Sequence, residues 1–79
     1  MPDKIPAMSS TKFIRLLKRG GARFVRQRGT SHAIFRRIVR GEKYSAPVIM
    51  NKSELSPKYI RLVFRQLGFT NEEIEALLK

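Results

Sequence analysis

Five glycines, at positions 20, 21, 29, 41 and 68, cut the chain into short segments, each with a hydrophobic pattern of its own. The chain has no cysteine to staple such pieces together, so they must hold by packing apolar faces against one another. Before the first break, Phe13, Ile14, Leu16 and Leu17 recur at helical spacing, with Lys12, Arg15, Lys18 and Arg19 largely opposite. Ser9 or Ser10 supplies the hydroxyl that starts this helix, and Gly20 with Gly21 ends it. "ARFVRQ" then reads as a strand, "RGT" as a turn and "SHAIFRRIV" as a second strand. "RGEK" turns into a third, "KYSAPVI", where Pro47 lacks an amide donor and so calls for a sheet edge or a bulge. "MNKSEL" is a loop.

Helical signals return at Ser56, a natural N-cap followed by Pro57 at the first helical position. Ile60, Val63, Phe64 and Leu67 form its apolar face, Arg61 and Arg65 its outer one, and Gly68 its stop. A short last helix opens with a capping box of Thr70 and Glu73 and a staple of Phe69 and Ile74, burying Ile74, Leu77 and Leu78. The order predicts an α+β fold: a three-stranded antiparallel sheet with helices on one face, α-β-β-β-α plus a short C-terminal helix. At 79 residues this is one domain, residues 1–79, with a thin core, because a chain of this size buries only about 60% of its unfolded surface.

Charge narrows the partners. The net charge is +11, and residues 4–65 hold sixteen basic side chains against Glu42 and Glu54 alone. A field this strong calls for a polyanion, whether nucleic acid, an anionic membrane or an acidic protein. No apolar run approaches the roughly 20 residues of a membrane span, and "MPDKIPAMSS" lacks the apolar stretch of a signal peptide. The expectation is a cytoplasmic protein with no membrane contact and a nucleic-acid ligand.

A sheet covered on one side leaves its other face open. On the second strand Ser31, Ala33 and Phe35 alternate with His32, Ile34 and Arg36. Phe35 assigns its own face to the core, which puts His32 and Arg36 on the open one. His32 is the chain's only histidine. Imidazole exchanges a proton near neutral pH. In RNA, deprotonating a 2′-hydroxyl lets it attack the adjacent phosphate, and DNA has no such group. A lone histidine among cations also serves as a phosphate contact or a surface residue. Tyr44 and Tyr59 can stack on bases or pack at the core and sheet edge, with packing favoured. One histidine without clustered carboxylates cannot build a metal site, and no cofactor is expected.

The helix, "RQRGTSHAIFR", the Pro-containing third strand followed by "NKSELSP", and the helix ending "RQLGFTNEE" together resemble the HicA-type toxins, also called the YcfA-like family. The likeness runs over essentially the whole chain and lies in the order and spacing of these pieces. It implies a fold similar to the double-stranded RNA-binding domain. It also implies a metal-independent endoribonuclease of a type II toxin–antitoxin pair, an mRNA interferase silenced by a HicB-like antitoxin. The family's functional histidine follows a Gly-Ser pair, which matches His32 here. The expected RNA contacts are Arg26, Arg28, Arg36, Arg37 and Lys52. Two departures stand out: Thr30 separates Gly29 from Ser31, and Val48, Ile49 and Met50 follow Pro47 where many members carry a second histidine. Two other functions remain open at this point, a non-catalytic RNA-binding module and a DNA-binding regulator.

Overall fold

The computed structural model describes residues 4–79. Met1, Pro2 and Asp3, which open the segment read for a signal peptide, lie outside the described residues. The order is α1 (Ser10–Arg19), β1 (Arg23–Arg28), β2 (His32–Val39), β3 (Glu42–Ile49), α2 (Pro57–Gln66) and α3 (Asn71–Leu78). The strands form one antiparallel sheet in the order β1-β2-β3. This is the α-β-β-β-α arrangement, with a further short helix, that the sequence pattern predicts.

Each helix starts on the side chain expected of it. Ser9 caps α1 by accepting from the Lys12 N–H, and Ser56 caps α2 by accepting from Tyr59 N–H, both at 3.2 Å. Ser10 does something else. Its buried hydroxyl donates to the Lys52 carbonyl at 3.2 Å and accepts the Lys52 N–H at 2.9 Å, tying the loop after β3 to the start of α1. The Thr70–Glu73 capping box forms in both directions, at 3.1 and 2.8 Å.

The first two helices end alike. In α1 the Ala22 N–H reaches the Leu17 carbonyl and Gly21 that of Lys18; in α2 Phe69 reaches Phe64 and Gly68 reaches Arg65. These are Schellman motifs, with Gly21 and Gly68 at positive φ, 97° and 74°. Gly68 is constrained twice, since a Cβ there would lie 2.8 Å from the Tyr44 ring.

The β2–β3 turn is a two-residue loop with Arg40 and Gly41 both at positive φ, 51° and 81°. That conformation matches the twist of the flanking strands, and it fixes Val39 opposite Glu42. Counting down the ladder puts Pro47 opposite Ile34 in a position whose N–H direction faces the free edge. The proline therefore costs no ladder bond, and no bulge is needed there. Two residues on, the outward Ile49 N–H is taken by the Tyr59 hydroxyl at 3.0 Å, which itself donates to the Pro47 carbonyl at 3.3 Å. Tyr59 thus covers this edge, the packing role rather than the stacking one, and Tyr44 packs against the core.

The core lies between the sheet and the helices. Phe13, Leu17, Phe35, Val48, Ile60, Val63, Phe64, Leu67 and Ile74 are all essentially inaccessible. Phe64 is its centre, edge-on to Phe13 at 5.2 Å and to Phe69 at 5.1 Å, geometry worth about 0.5–1.5 kcal/mol per pair beyond area burial.

One cation is buried with it. Arg37 is 5% exposed and lies on the helix-facing side of β2. Its Nε donates to the Gly20 carbonyl at 3.0 Å and its Nη1 to the Leu67 carbonyl at 3.2 Å. Its Nη2 pairs with Glu73, and its guanidinium stacks 3.8 Å above the Phe69 ring. Partial burial pulls the Glu73 carboxyl upward, but the Thr70 N–H and the Arg37 charge outweigh this and hold it below the usual glutamate value. A depressed folded-state value means the contribution is present above the unfolded value of about 4.3 and is lost as pH falls through the folded one. Denaturant midpoints measured on acidification should therefore fall more steeply for the wild type than for Glu73→Gln. Parallel curves would show that the pair carries no pH-linked stability.

Candidate functional site

Residues directly opposite each other in an antiparallel sheet point to the same face, so the register defines the surface that the helices leave uncovered. Arg28, His32 and Ile49 form one row, Arg26, Ile34 and Pro47 the next, and Arg23, Arg36 and Ser45 a third. Ile38 and Lys43 close the series at the β2–β3 turn. The face therefore carries Arg23, Arg26, Arg28, Arg36 and Lys43, and these rows include no carboxylate.

His32 sits at the first residue of β2, half-buried, as the alternation with Ala33 and Phe35 requires. It lines a shallow depression of about 350 Å³ with Arg28, Gly29 and Pro47. Arg28 comes from the end of β1 and Gly29, at φ 69°, opens the three-residue turn through Thr30 and Ser31. The extra Thr30 does not turn His32 toward the core. It is absorbed in this loop, where the Gln27 side chain reaches the Thr30 carbonyl at 3.4 Å. Ser31 anchors the other side, its carbonyl accepting the Met50 N–H at 2.8 Å. The Ser31 hydroxyl lies 3.5 Å from His32 Nδ1, at the outer limit of a hydrogen bond. Nδ1 is thus only loosely held from inside the chain.

Of the cations expected to meet RNA, the structure brings Arg26, Arg28 and Arg36 onto the face of His32. Lys52 is exposed, but it belongs to the loop after β3, where its backbone is tied to Ser10. Arg37 is on the opposite side of the sheet, its donors spent on Gly20, Leu67 and Glu73. The alternation that puts His32 and Arg36 outside necessarily puts Arg37 inside, which corrects its place among the expected contacts.

Two open-face cations escaped the sequence reading. Lys43 was recoverable, since a two-residue "RG" turn sets Val39 opposite Glu42 and hence Lys43 opposite Ile38. Arg23 was not, because β1 shifts register between Phe24 and Arg26. Strict alternation across that bulge would have sent Arg23 to the wrong face. Arg23 and Arg36 are directly opposed like charges, an arrangement that works against sheet stability.

Among the described residues, no three His, Asp or Glu side chains converge into a group that could hold a metal ion, and no helix is long and apolar enough to cross a membrane. No curated protein and no solved structure matches the chain. A family model does match residues 10–69, from the first residue of α1 to just beyond the end of α2, which takes in the whole sheet, His32 and the five open-face cations. Its description is the HicA toxin of bacterial toxin–antitoxin systems, and over that span this chain belongs to the HicA toxin family.

Proposed function

We propose that this toxin is an endoribonuclease that cuts messenger RNA on the open face of its sheet, with His32 as the proton acceptor. The observation that carries the reading is the row of Arg28 and His32 around one depression, on a face of cations without carboxylates. A phosphate held by Arg28 brings a neighbouring 2′-hydroxyl toward the imidazole. His32 takes the 2′-proton as the oxygen attacks phosphorus, and the 5′-oxygen leaves with a proton from water or from the imidazolium so formed. The products are a 2′,3′-cyclic phosphate and a free 5′-hydroxyl. Arg28 offsets the charge that builds on the phosphorane oxygens, and Arg26 and Arg36, further along the face, hold neighbouring phosphates of the same strand. Arg37 is not assigned a part, and Lys52 contributes from the loop as a more distant phosphate contact. No metal or cofactor is invoked in these steps, and the site of action is the cytoplasm, where messenger RNA is found.

Family membership implies an antitoxin partner. The proposal is that it is acidic, resembles HicB, and lies across the same face, where opposite fields speed the encounter. Amide hydrogen exchange of the complex should then show protection in β1 and β2. Protection confined to the outer surfaces of the helices would remove steric occlusion as the silencing mechanism.

Binding of single-stranded RNA should weaken steeply with salt, because each neutralised phosphate contributes a log–log slope of about −0.7. A slope near zero would contradict the electrostatic reading. His32→Ala should reduce cleavage of a long unstructured RNA by at least about 10²-fold. It should leave thermal stability within about 1 kcal/mol, since the side chain is not in the core. His32→Gln should behave alike, because an amide hydrogen-bonds but does not exchange a proton at neutral pH. A folded variant that still cuts at the wild-type rate would exclude His32 as the base. A non-catalytic module, the competing reading, predicts no cleavage by any of the three proteins.

A further inference from the structure

The helix layer carries a second field of cations, on the side of the sheet away from His32. α1 buries Phe13, Leu16 and Leu17, and its opposite side presents Thr11, Lys12, Arg15, Lys18 and Arg19, all exposed. α2 lies beside it, with Phe64 edge-on to Phe13 at 5.2 Å, and adds the exposed Lys58. Neither helix contains a carboxylate, not even in the first turn, where the helix dipole favours one. The chain does place acids in such a turn elsewhere, with Glu72 and Glu73 in α3. Spacing within α1 makes the pattern unfavourable for the helix itself. Arg15 stands three residues from both Lys12 and Lys18 and four from Arg19, so like charges adjoin along one side. A merely solvated helix gains from mixed pairs at these spacings, and α1 has none.

We propose that the outer side of α1 is a second RNA-backbone site, holding phosphates of the strand being cut where that strand runs on beyond the open face. The inference rests on the reading of the open face as an RNA site and adds a surface that the reaction does not use. Its composition selects phosphates over other partners. Among the described residues of α1 no large apolar side chain is exposed, whereas protein interfaces centre on aromatic and apolar anchors and are depleted in lysine. Leu62 of α2 is the one large apolar side chain exposed among the described helix residues, and a single such group is ordinary surface. Insertion into a membrane surface is disfavoured too, because the apolar side of α1 is already in the core. Exposed lysines and arginines bind a nucleic-acid backbone without reading its sequence. From Lys12 to Arg19 they extend about 10 Å at the helical rise, a row that suits a polymer of repeating charge. With one helix layer on one sheet and a least dimension of 17 Å, the two cationic surfaces lie within reach of a single strand.

The test is binding rather than cleavage, so that it stands apart from the role of His32. Two 2′-O-methyl oligouridylates, which have no free 2′-hydroxyl to react, are titrated by fluorescence anisotropy over a series of salt concentrations. One has about 6 nucleotides, the footprint of a single small domain, and the other is several times longer. The long oligomer should show a log–log salt slope steeper by about 2, from about three added phosphate contacts of about 0.7 each. The larger number of binding registers on the long oligomer raises its affinity without changing the slope, so the slope isolates the added contacts. The variant Lys12→Gln/Arg15→Gln/Lys18→Gln should bring the long slope back to that of the short oligomer and leave the short slope unchanged. Arg15→Glu should remove part of the difference. Arg40→Glu, the same change of charge placed in the β2–β3 turn, should leave it intact. Melting curves confirm that each variant is folded. Arg15→Glu carries the test if the triple variant does not fold, since it replaces repulsion within α1 by attraction to Lys12, Lys18 and Arg19. Equal slopes for the two oligomers in the wild type overturn the second site and leave the ribonuclease reading standing. An unchanged difference in the α1 variants, or an equal loss in Arg40→Glu, overturns it as well. If the α1 substitutions weaken only the complex with the antitoxin, the surface belongs to the protein partner and the RNA assignment is wrong. If neither oligomer binds at low salt, the second site falls together with the RNA reading of the open face.

Discussion

Arg37 is the joint on which the layers of this protein meet. The Schellman motifs at the ends of α1 and α2 leave the carbonyls of their C-cap residues, Gly20 and Leu67, without a partner inside the helix. One guanidinium from the middle strand answers both, and its third arm reaches Glu73 in the first turn of α3. A cation at two helix C-termini and a carboxylate at an N-terminus each sit where the helix dipole favours them. Arginine suits this place because its donors project as a planar fork and its flat face stacks on Phe69. An ammonium has neither the reach in three directions nor the face. Removing a charge from water is costly, and this burial is tolerated because each donor edge of the group is engaged.

The same joint explains the thinness of the rest. Phe13 and Phe64 lie in the one core between helices and sheet, a core limited by the size of the chain, and Leu17, Leu67 and Ile74 carry it to the helix ends. Arg37 pins both C-termini and α3 to the side of the sheet that Ala33 and Phe35 already bury. The free side follows as a consequence, with His32, Ile34, Arg36 and Ile38 outside because Ala33, Phe35 and Arg37 are inside. The position of the one histidine thus follows from the residues buried on the opposite face, through the two-residue period of a strand.

Much of this was legible from residue order because local and tertiary preferences agree. Ser9, Ser56 and Thr70 cap the helices that their sequence context predicts, and Phe35 picks the buried face of β2 against the mild counter-signal of Ile34. What escaped reading has specific physical causes. Arg37 looked like one more member of a basic run because no charge-based argument distinguishes a solvated arginine from one that two helix ends require. Its partners, Gly20, Leu67 and Glu73, are seventeen, thirty and thirty-six positions away. The bulge in β1 leaves no mark in "RFVRQR", and without it Arg23 and Val25 could not be placed. Ser10 was as good a cap as Ser9 until tertiary structure gave it the Lys52 backbone to hold.

The open face carries a conflict that the buried side does not. Arg37 is neutralised within the fold, whereas Arg23 and Arg36 oppose each other across neighbouring strands and no carboxylate lies in their rows. Of the described carboxylates, Glu72, Glu73 and Glu75 belong to α3, and Glu73 is already committed to Arg37. The free protein therefore holds like charges together on a small sheet with a thin core, and any polyanion that bridges them stabilises the folded state by mass action. Under the proposed function, an RNA strand and an acidic antitoxin would satisfy the same electrostatic demand and compete for one face, and silencing would need no conformational switch.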